Sequence, residues 1–136
     1  GELRFASPPS LAPDADEFPG AKRYTSLEQG IRGADVIMAL RIQKERMDQA
    51  QVPDVDAVLK EWGISERSIL HAGKGAVVLH PGPMNRGVEI TDAIADGPQS
   101  AVRQQVRNGV AVRMAVLATI VRNVQIRNVQ AGGREV

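Results

Sequence analysis

Cysteine is missing from all 136 residues, so neither a disulfide framework nor a thiolate metal site can be built. Aromatic residues are scarce: one Trp, one Tyr and two Phe make up 3% of the chain. A core must therefore come from Val, Ile, Leu, Ala and Met, and few rings are left on which nucleobases could stack. An excess of one charge is missing too. The 17 basic and 16 acidic residues leave a net charge of +1, without the basic face that nucleic-acid binding uses. No apolar run approaches the roughly 20 residues of a membrane-spanning helix, and the opening Gly1-Glu2-Leu3-Arg4 has no signal-peptide pattern. The expectation is a cytoplasmic protein with neither nucleic acid nor membrane as partner.

Chemical signatures are sparse as well. There is no glycine-rich phosphate fingerprint, no metal-ligand cluster and no Ser-His-Asp order. No nucleophile stands out. Any chemistry must rest on positioning and electrostatics or belong to a partner segment.

What is present reads as one α/β domain over residues 1–136. The 43% apolar content supplies a core, and a chain of this length buries roughly two-thirds of its unfolded surface. Strands are expected at 3–6, 22–24, 35–40 and 76–79. Helices are expected at 27–32 behind a Ser26 N-cap, at 55–62 behind Asp54, in a short turn from Ser65 to Gly73, and near 91–95. A polar helix over 99–108 is expected to stop at Asn108-Gly109, with a strongly apolar helix over 110–124 after it. That helix should be buried or pack on another domain, and the tail after Arg127 should fray. The continuous apolar runs at 35–40 and 76–79 suggest a parallel sheet covered on both faces. The fold class is thus a doubly wound, mostly parallel, Rossmann-like sheet flanked by helices. Leu3-Arg4-Phe5-Ala6 enters at once as a core strand, so the chain is expected to be a fragment lacking its first βα unit.

Two loops follow apolar strands. Arg41-Ile42-Gln43-Lys44-Glu45-Arg46 follows the run 35–40. Arg41 and Gln43, two apart, point the same way if the segment is extended. A guanidinium fork matches a carboxylate, and Gln43 can both donate and accept. Glu45 lies on the same side and can pair with Arg41. A solvated charged loop is the plain alternative. His80-Pro81-Gly82-Pro83-Met84-Asn85-Arg86-Gly87-Val88-Glu89 follows the run 76–79. Two prolines and two glycines cannot become helix at once, so a stiff loop is expected at the strand's carboxyl end, where open α/β sheets bind ligands. The Pro81 and Gly82 carbonyls would accept from an amino group, with Arg86 and Glu89 buttressing the loop as an ion pair. A structural turn with a satisfied histidine is the default alternative. His71 is expected at the surface or behind the site, and Lys74 in an exposed turn.

These residues resemble a known family. Asp35 to Met47 looks like the aspartate-site loop of the aspartate carbamoyltransferases, His80 to Ile90 resembles their proline loop, and Gln105 to Leu117 is similar to their carboxyl-terminal helix pair. The resemblance covers nearly the whole chain and is to the aspartate-binding domain only. It implies transfer of a carbamoyl group from carbamoyl phosphate to L-aspartate in pyrimidine synthesis, without metal or organic cofactor. By motif position, Arg41 and Gln43 would bind aspartate and Glu45 would orient Arg41, with Arg46 in support. Pro81, Gly82 and Pro83 would meet carbamoyl phosphate. The resemblance further implies a homotrimer and a possible regulatory or dihydroorotase-type partner chain. The last helix would pack on an amino-terminal carbamoyl phosphate domain. The family's Ser-Thr-Arg-Thr phosphate segment, catalytic histidine, mobile lysine and second aspartate-binding arginine would all lie upstream of Gly1. The chain alone is therefore expected to be inactive, with no catalytic residue in this segment.

Three rivals stand beside this reading. An ornithine-type carbamoyltransferase typically has a His-Cys-Leu-Pro loop, and its cationic substrate would not want Arg41. A non-catalytic scaffold could keep both loops as architecture. The nucleotide-binding half of a dehydrogenase would need the glycine fingerprint this chain lacks.

Overall fold

The computed structural model describes residues 1–41 and 55–132, the side chains of 55–56 and 126–132 excepted. Four short strands are described: β1 (Arg4–Ala6), β2 (Lys22–Tyr24), β3 (Val36–Met38) and β4 (Val77–Leu79). The helices are α1 (Leu27–Ile31), α2 (Val55–Trp62), α3 (Asp92–Ala95) and α4 (Val102–Gly132), with single 3-10 turns at Pro9–Leu11, Ala15–Glu17 and Ser68–His71. The chain divides into two compact units, Gly1–Val102 and Arg103–Val136.

In the first unit β1 pairs with β2 and β3 with β4, both in parallel. This is the α/β alternation read from the sequence. The β3–β4 register sets Val36 against Val77, Ile37 against Val78 and Met38 against Leu79. Backbone bonds extend the pairing at both ends. Val77 N–H donates to Asp35 O at 2.9 Å before it, and Ala39 N–H to Leu79 O at 3.0 Å after it. On its other side β4 bridges to Ser100: Val78 N–H donates to Gln99 O at 2.8 Å and Ala101 N–H to Val78 O at 2.9 Å. β4 is therefore held along both edges.

Alternation along the strands builds the core. Ile37, Ala39 and Val78 turn inward and join Leu27 and Ile31 of α1, Ile64, Ile90, and Ile94 and Ala95 of α3. The opposite face is open among the described residues. Val36, Met38 and Val77 are exposed, which corrects the expectation of a sheet covered on both sides. The run reads as uniformly apolar because the side chains on both faces are apolar. Close approach shapes the α1–β1 contact. A Cβ on Gly30 would lie 2.6 Å from Ala6 Cβ, so only glycine fits there.

Local signals mostly act where they were read. α1 starts after Ser26, although the serine side chain makes no cap bond. Arg32 and then Gly33, at φ 65°, end it. Gly63 closes α2 with its N–H on Leu59 O. The Asp54 cap lies outside the described residues.

The second unit is helical and corrects two expectations. One unbroken helix runs from Val102 to Gly132. It does not stop at Asn108-Gly109, and it continues past Arg127 as far as Gly132. A glycine inside a helix costs only about 1 kcal/mol relative to alanine, and many favourable neighbours outweigh one such residue. The apolar side chains of this helix, among them Val110, Met114, Leu117, Ile120 and Val121, are exposed. Of the two expectations for this helix, burial or packing on another domain, the first is not met among the described residues.

Candidate functional site

The parallel β3–β4 pairing decides where the two loops emerge. Leu40-Arg41 leaves β3 and His80-Pro81 leaves β4 just past the Ala39–Leu79 bond, at the carboxyl edge of the same two strands. Arg41 is half-buried at that edge. Gln43, Glu45 and Arg46, and with them the expected Arg41–Glu45 pair, lie outside the described residues.

The proline loop is described throughout. Pro81 and Pro83 are exposed, Gly82 is half-buried, and Met84 packs against the core. Gly82 sits at φ 68°, a left-handed conformation that favours glycine, and its bond to Pro83 is cis. His80 is fully buried. Its Nδ1 accepts the Gly82 N–H at 2.9 Å, and its Nε2 lies 3.1 Å from Glu89 Oε1. The same Glu89 oxygen accepts the Asn85 N–H at 2.6 Å. Glu89 is 5% exposed, and its Oε2 is buried without a hydrogen-bond partner among the described residues.

The expected Arg86–Glu89 ion pair does not form. Arg86 instead forks onto Asp96, at 2.7 and 3.1 Å, and reaches Asp92 at 2.7 Å. These two carboxylates, Asp96 before Asp92, hold the guanidinium above its ordinary range. The reason is reach and solvation. Arg86 stays at the surface, where two acids one helical turn apart on and after α3 offer a fork, whereas Glu89 is drawn inward to the imidazole. Sequence reading named both residues as supports but mispaired them. The Asp92/Asp96 spacing was the available signal.

The far end of the loop is pinned to the turn after α2. Ile64 N–H donates to Glu89 O at 2.9 Å and Thr91 N–H to Ile64 O at 3.0 Å. Thr91 Oγ1 donates to Glu66 Oε2 at 2.8 Å. Glu66, bonded first to its own backbone N–H and then to Thr91, is held below the usual carboxylate range. His71 is half-buried, 3.5 Å from Glu28. Lys74 stands in an exposed turn. Among the described residues no group of three or more His, Asp or Glu is placed to hold a metal ion, and no helix is long and apolar enough to cross a membrane.

Residues 2–120 match the family model described as aspartate/ornithine carbamoyltransferase, Asp/Orn binding domain. The aspartate carbamoyltransferase catalytic subunit of Xanthomonas campestris is 49% identical over 120 residues, covering 88% of this chain and 38% of that protein. Among solved structures, ornithine carbamoyltransferase from Burkholderia thailandensis aligns at a TM-score of 0.67 and 25% identity, over 85% of this chain and 37% of the other. Aspartate transcarbamoylase from Trypanosoma cruzi, solved with carbamoyl aspartate and phosphate, aligns at 0.59 and 28% identity, over 71% of this chain and 29% of its own. The chain thus spans well under half the length of the curated relative it matches.

Proposed function

The chain belongs to the aspartate/ornithine carbamoyltransferase family, matching its Asp/Orn-binding domain, and from that premise we propose that it is the aspartate-binding part of an aspartate carbamoyltransferase. The reaction joins the L-aspartate amine to the carbonyl carbon of carbamoyl phosphate. A C–N bond forms, the C–O bond to phosphate breaks with its electron pair leaving on phosphate, and the amine gives up a proton. The parallel β3–β4 register carries the reading, because it delivers Arg41 and the His80–Pro83 loop to one edge of one sheet.

In this reading Arg41, assisted by Gln43, holds an aspartate carboxylate, with Glu45 and Arg46 in support. The Pro81 and Gly82 carbonyls accept from the carbamoyl phosphate amino group beside Pro83. A carbonyl in a proline-rich loop has few torsions left to freeze, so little ordering entropy is lost on binding. A half-buried cation at this edge suits an anionic amino acid better than a cationic one, which favours aspartate over ornithine. The 49% identity to an aspartate enzyme points the same way.

Residues 1–136 serve as the aspartate-binding domain, and the groups that bind the phosphate and activate the amine belong to a carbamoyl phosphate domain outside this chain. A cytoplasmic homotrimer acting in pyrimidine synthesis, with or without a regulatory or dihydroorotase-type chain, completes the proposal. The test is a carbamoyl-aspartate assay. The isolated chain should show no turnover, the full-length polypeptide should be active with aspartate, and ornithine should not replace it. Turnover by residues 1–136 alone would overturn the division of labour, and preference for ornithine would overturn the substrate.

A further inference from the structure

We propose that Glu89 is a positioning residue for the proline loop: acting through the buried His80 ring and the Asn85 amide, it sets the direction in which the Pro81 carbonyl meets the carbamoyl phosphate amino group. The inference rests on the loop's role proposed above and deepens it.

Hydrogen-bond direction fixes the state of the ring. Gly82 N–H donates to His80 Nδ1, so Nδ1 carries a lone pair, and the proton of the neutral imidazole lies on Nε2, facing Glu89 Oε1. A carboxylate can only accept, so it holds that tautomer whichever oxygen turns to the ring. An amide at the same place would also offer a donor, opening the tautomer whose Nδ1–H opposes the Gly82 N–H. One carboxylate oxygen thereby governs both limbs of the loop: Asn85 directly at 2.6 Å and Gly82 through the ring.

Peptide geometry carries that control to the substrate side. Pro81 C=O and Gly82 N–H belong to one planar trans unit and point in opposite directions. Holding the N–H on the buried ring therefore aims the Pro81 carbonyl away from the core. Stability alone does not explain the acid. Its second oxygen is buried without a partner among the described residues, an arrangement that costs folding free energy. Arg86, the cation nearest in sequence, is engaged by Asp92 and Asp96 instead.

The experiment uses the full-length enzyme carrying Glu89→Gln, His80→Asn or His80→Gln. The asparagine oxygen stands close to the place of Nδ1 and keeps an acceptor for Gly82. The glutamine amide stands closer to Nε2 and leaves the Gly82 N–H without one. Glu89→Gln and His80→Gln should raise KM for carbamoyl phosphate by about ten- to a hundredfold, while His80→Asn recovers most of that loss even where its melting temperature falls. Glu89→Gln or His80→Gln enzymes that melt earlier but keep the wild-type KM overturn the proposal, and so do His80→Asn and His80→Gln behaving alike. Should the variants not fold, amide exchange in the wild-type enzyme decides: protection of Gly82 well beyond that of an open loop supports it, and open-loop exchange refutes it. Failure of the underlying reading shows separately, as a wild-type enzyme that does not turn over carbamoyl phosphate at all.

Discussion

The Ala39 amide donates to the Leu79 carbonyl across 3.0 Å, one residue beyond the end of β3. Two residues beyond Ala39 stands Arg41; two residues beyond Leu79 stands Pro81. A parallel register sends both segments off the same edge, where an antiparallel one would have sent them to opposite ends. Arg41 and the proline loop share one edge of the sheet because of backbone pairing, and the predictions about substrate start there.

Arg41→Ala in the full-length enzyme should weaken aspartate binding while leaving assembly intact. Loss of a charge-assisted hydrogen bond costs roughly 1.5–3 kcal/mol, so KM for aspartate should rise by about ten- to a hundredfold, with KM for carbamoyl phosphate changing little. Steady-state kinetics at varied aspartate reads this directly. Unchanged aspartate saturation would favour the scaffold alternative, in which Arg41 is architecture only.

Gly82 is held at φ 68°, where a Cβ meets the following carbonyl. Gly82→Ala should destabilise by about 1–2 kcal/mol, measured as the urea midpoint at constant slope. In the full-length enzyme it should also raise KM for carbamoyl phosphate more than KM for aspartate. A variant with wild-type stability would mean that the loop relaxes out of the left-handed region at no cost.

The loop also shows how far sequence reasoning reaches. That 80–89 would be a loop at a strand's carboxyl end was legible, because Pro81, Gly82 and Pro83 forbid helix and the apolar run before them ends cleanly. Which charges would pair was not. Arg86 and Glu89 are three apart and of opposite sign, yet burial separates them: the acid turns inward to His80, and the cation stays outside with Asp92 and Asp96. Pair preference depends on which side of the backbone faces the core, and a loop without a repeat gives no periodicity from which to read it. Gly109 misled for a related reason. A local helix breaker is a weak prior of about 1 kcal/mol, and the 31-residue helix passes through it. Gln43, Glu45 and Arg46, proposed for the aspartate site from the sequence, lie outside the described residues.

Glu66 provides a pH-dependent stabilisation with a defined sign. Its own backbone N–H and the Thr91 hydroxyl hold its folded pKa below the ordinary carboxylate value. The unfolded chain therefore takes up the proton first on acidification. The contribution is fully present above the ordinary carboxylate range and is lost as pH falls through the depressed folded value. Thr91→Val removes the second cause and should flatten this acid limb without altering the pH 7–8 plateau slope. Thermal melts between pH 3 and 7 test it, and an acid limb identical in both proteins would exclude the Thr91 contribution.

Packing at Gly30 gives the most direct test of the α1–β1 contact. A Cβ there would stand 2.6 Å from Ala6 Cβ, with Tyr24 Cβ 3.6 Å away. Neither is the flexible end of a long side chain, so relief requires α1 to move off β1 and β2. Overpacking of this kind costs about 1–3 kcal/mol, and Gly30→Ala should lower the melting temperature although alanine is the better helix former. Ala6→Gly removes the atom that the new methyl meets, so the double variant should recover part of the loss even though Ala6→Gly alone destabilises. That is a coupling of opposite sign to the single effects, as expected for residues in direct contact. Additive losses in the double variant would mean that α1 and β1 do not meet through these two positions.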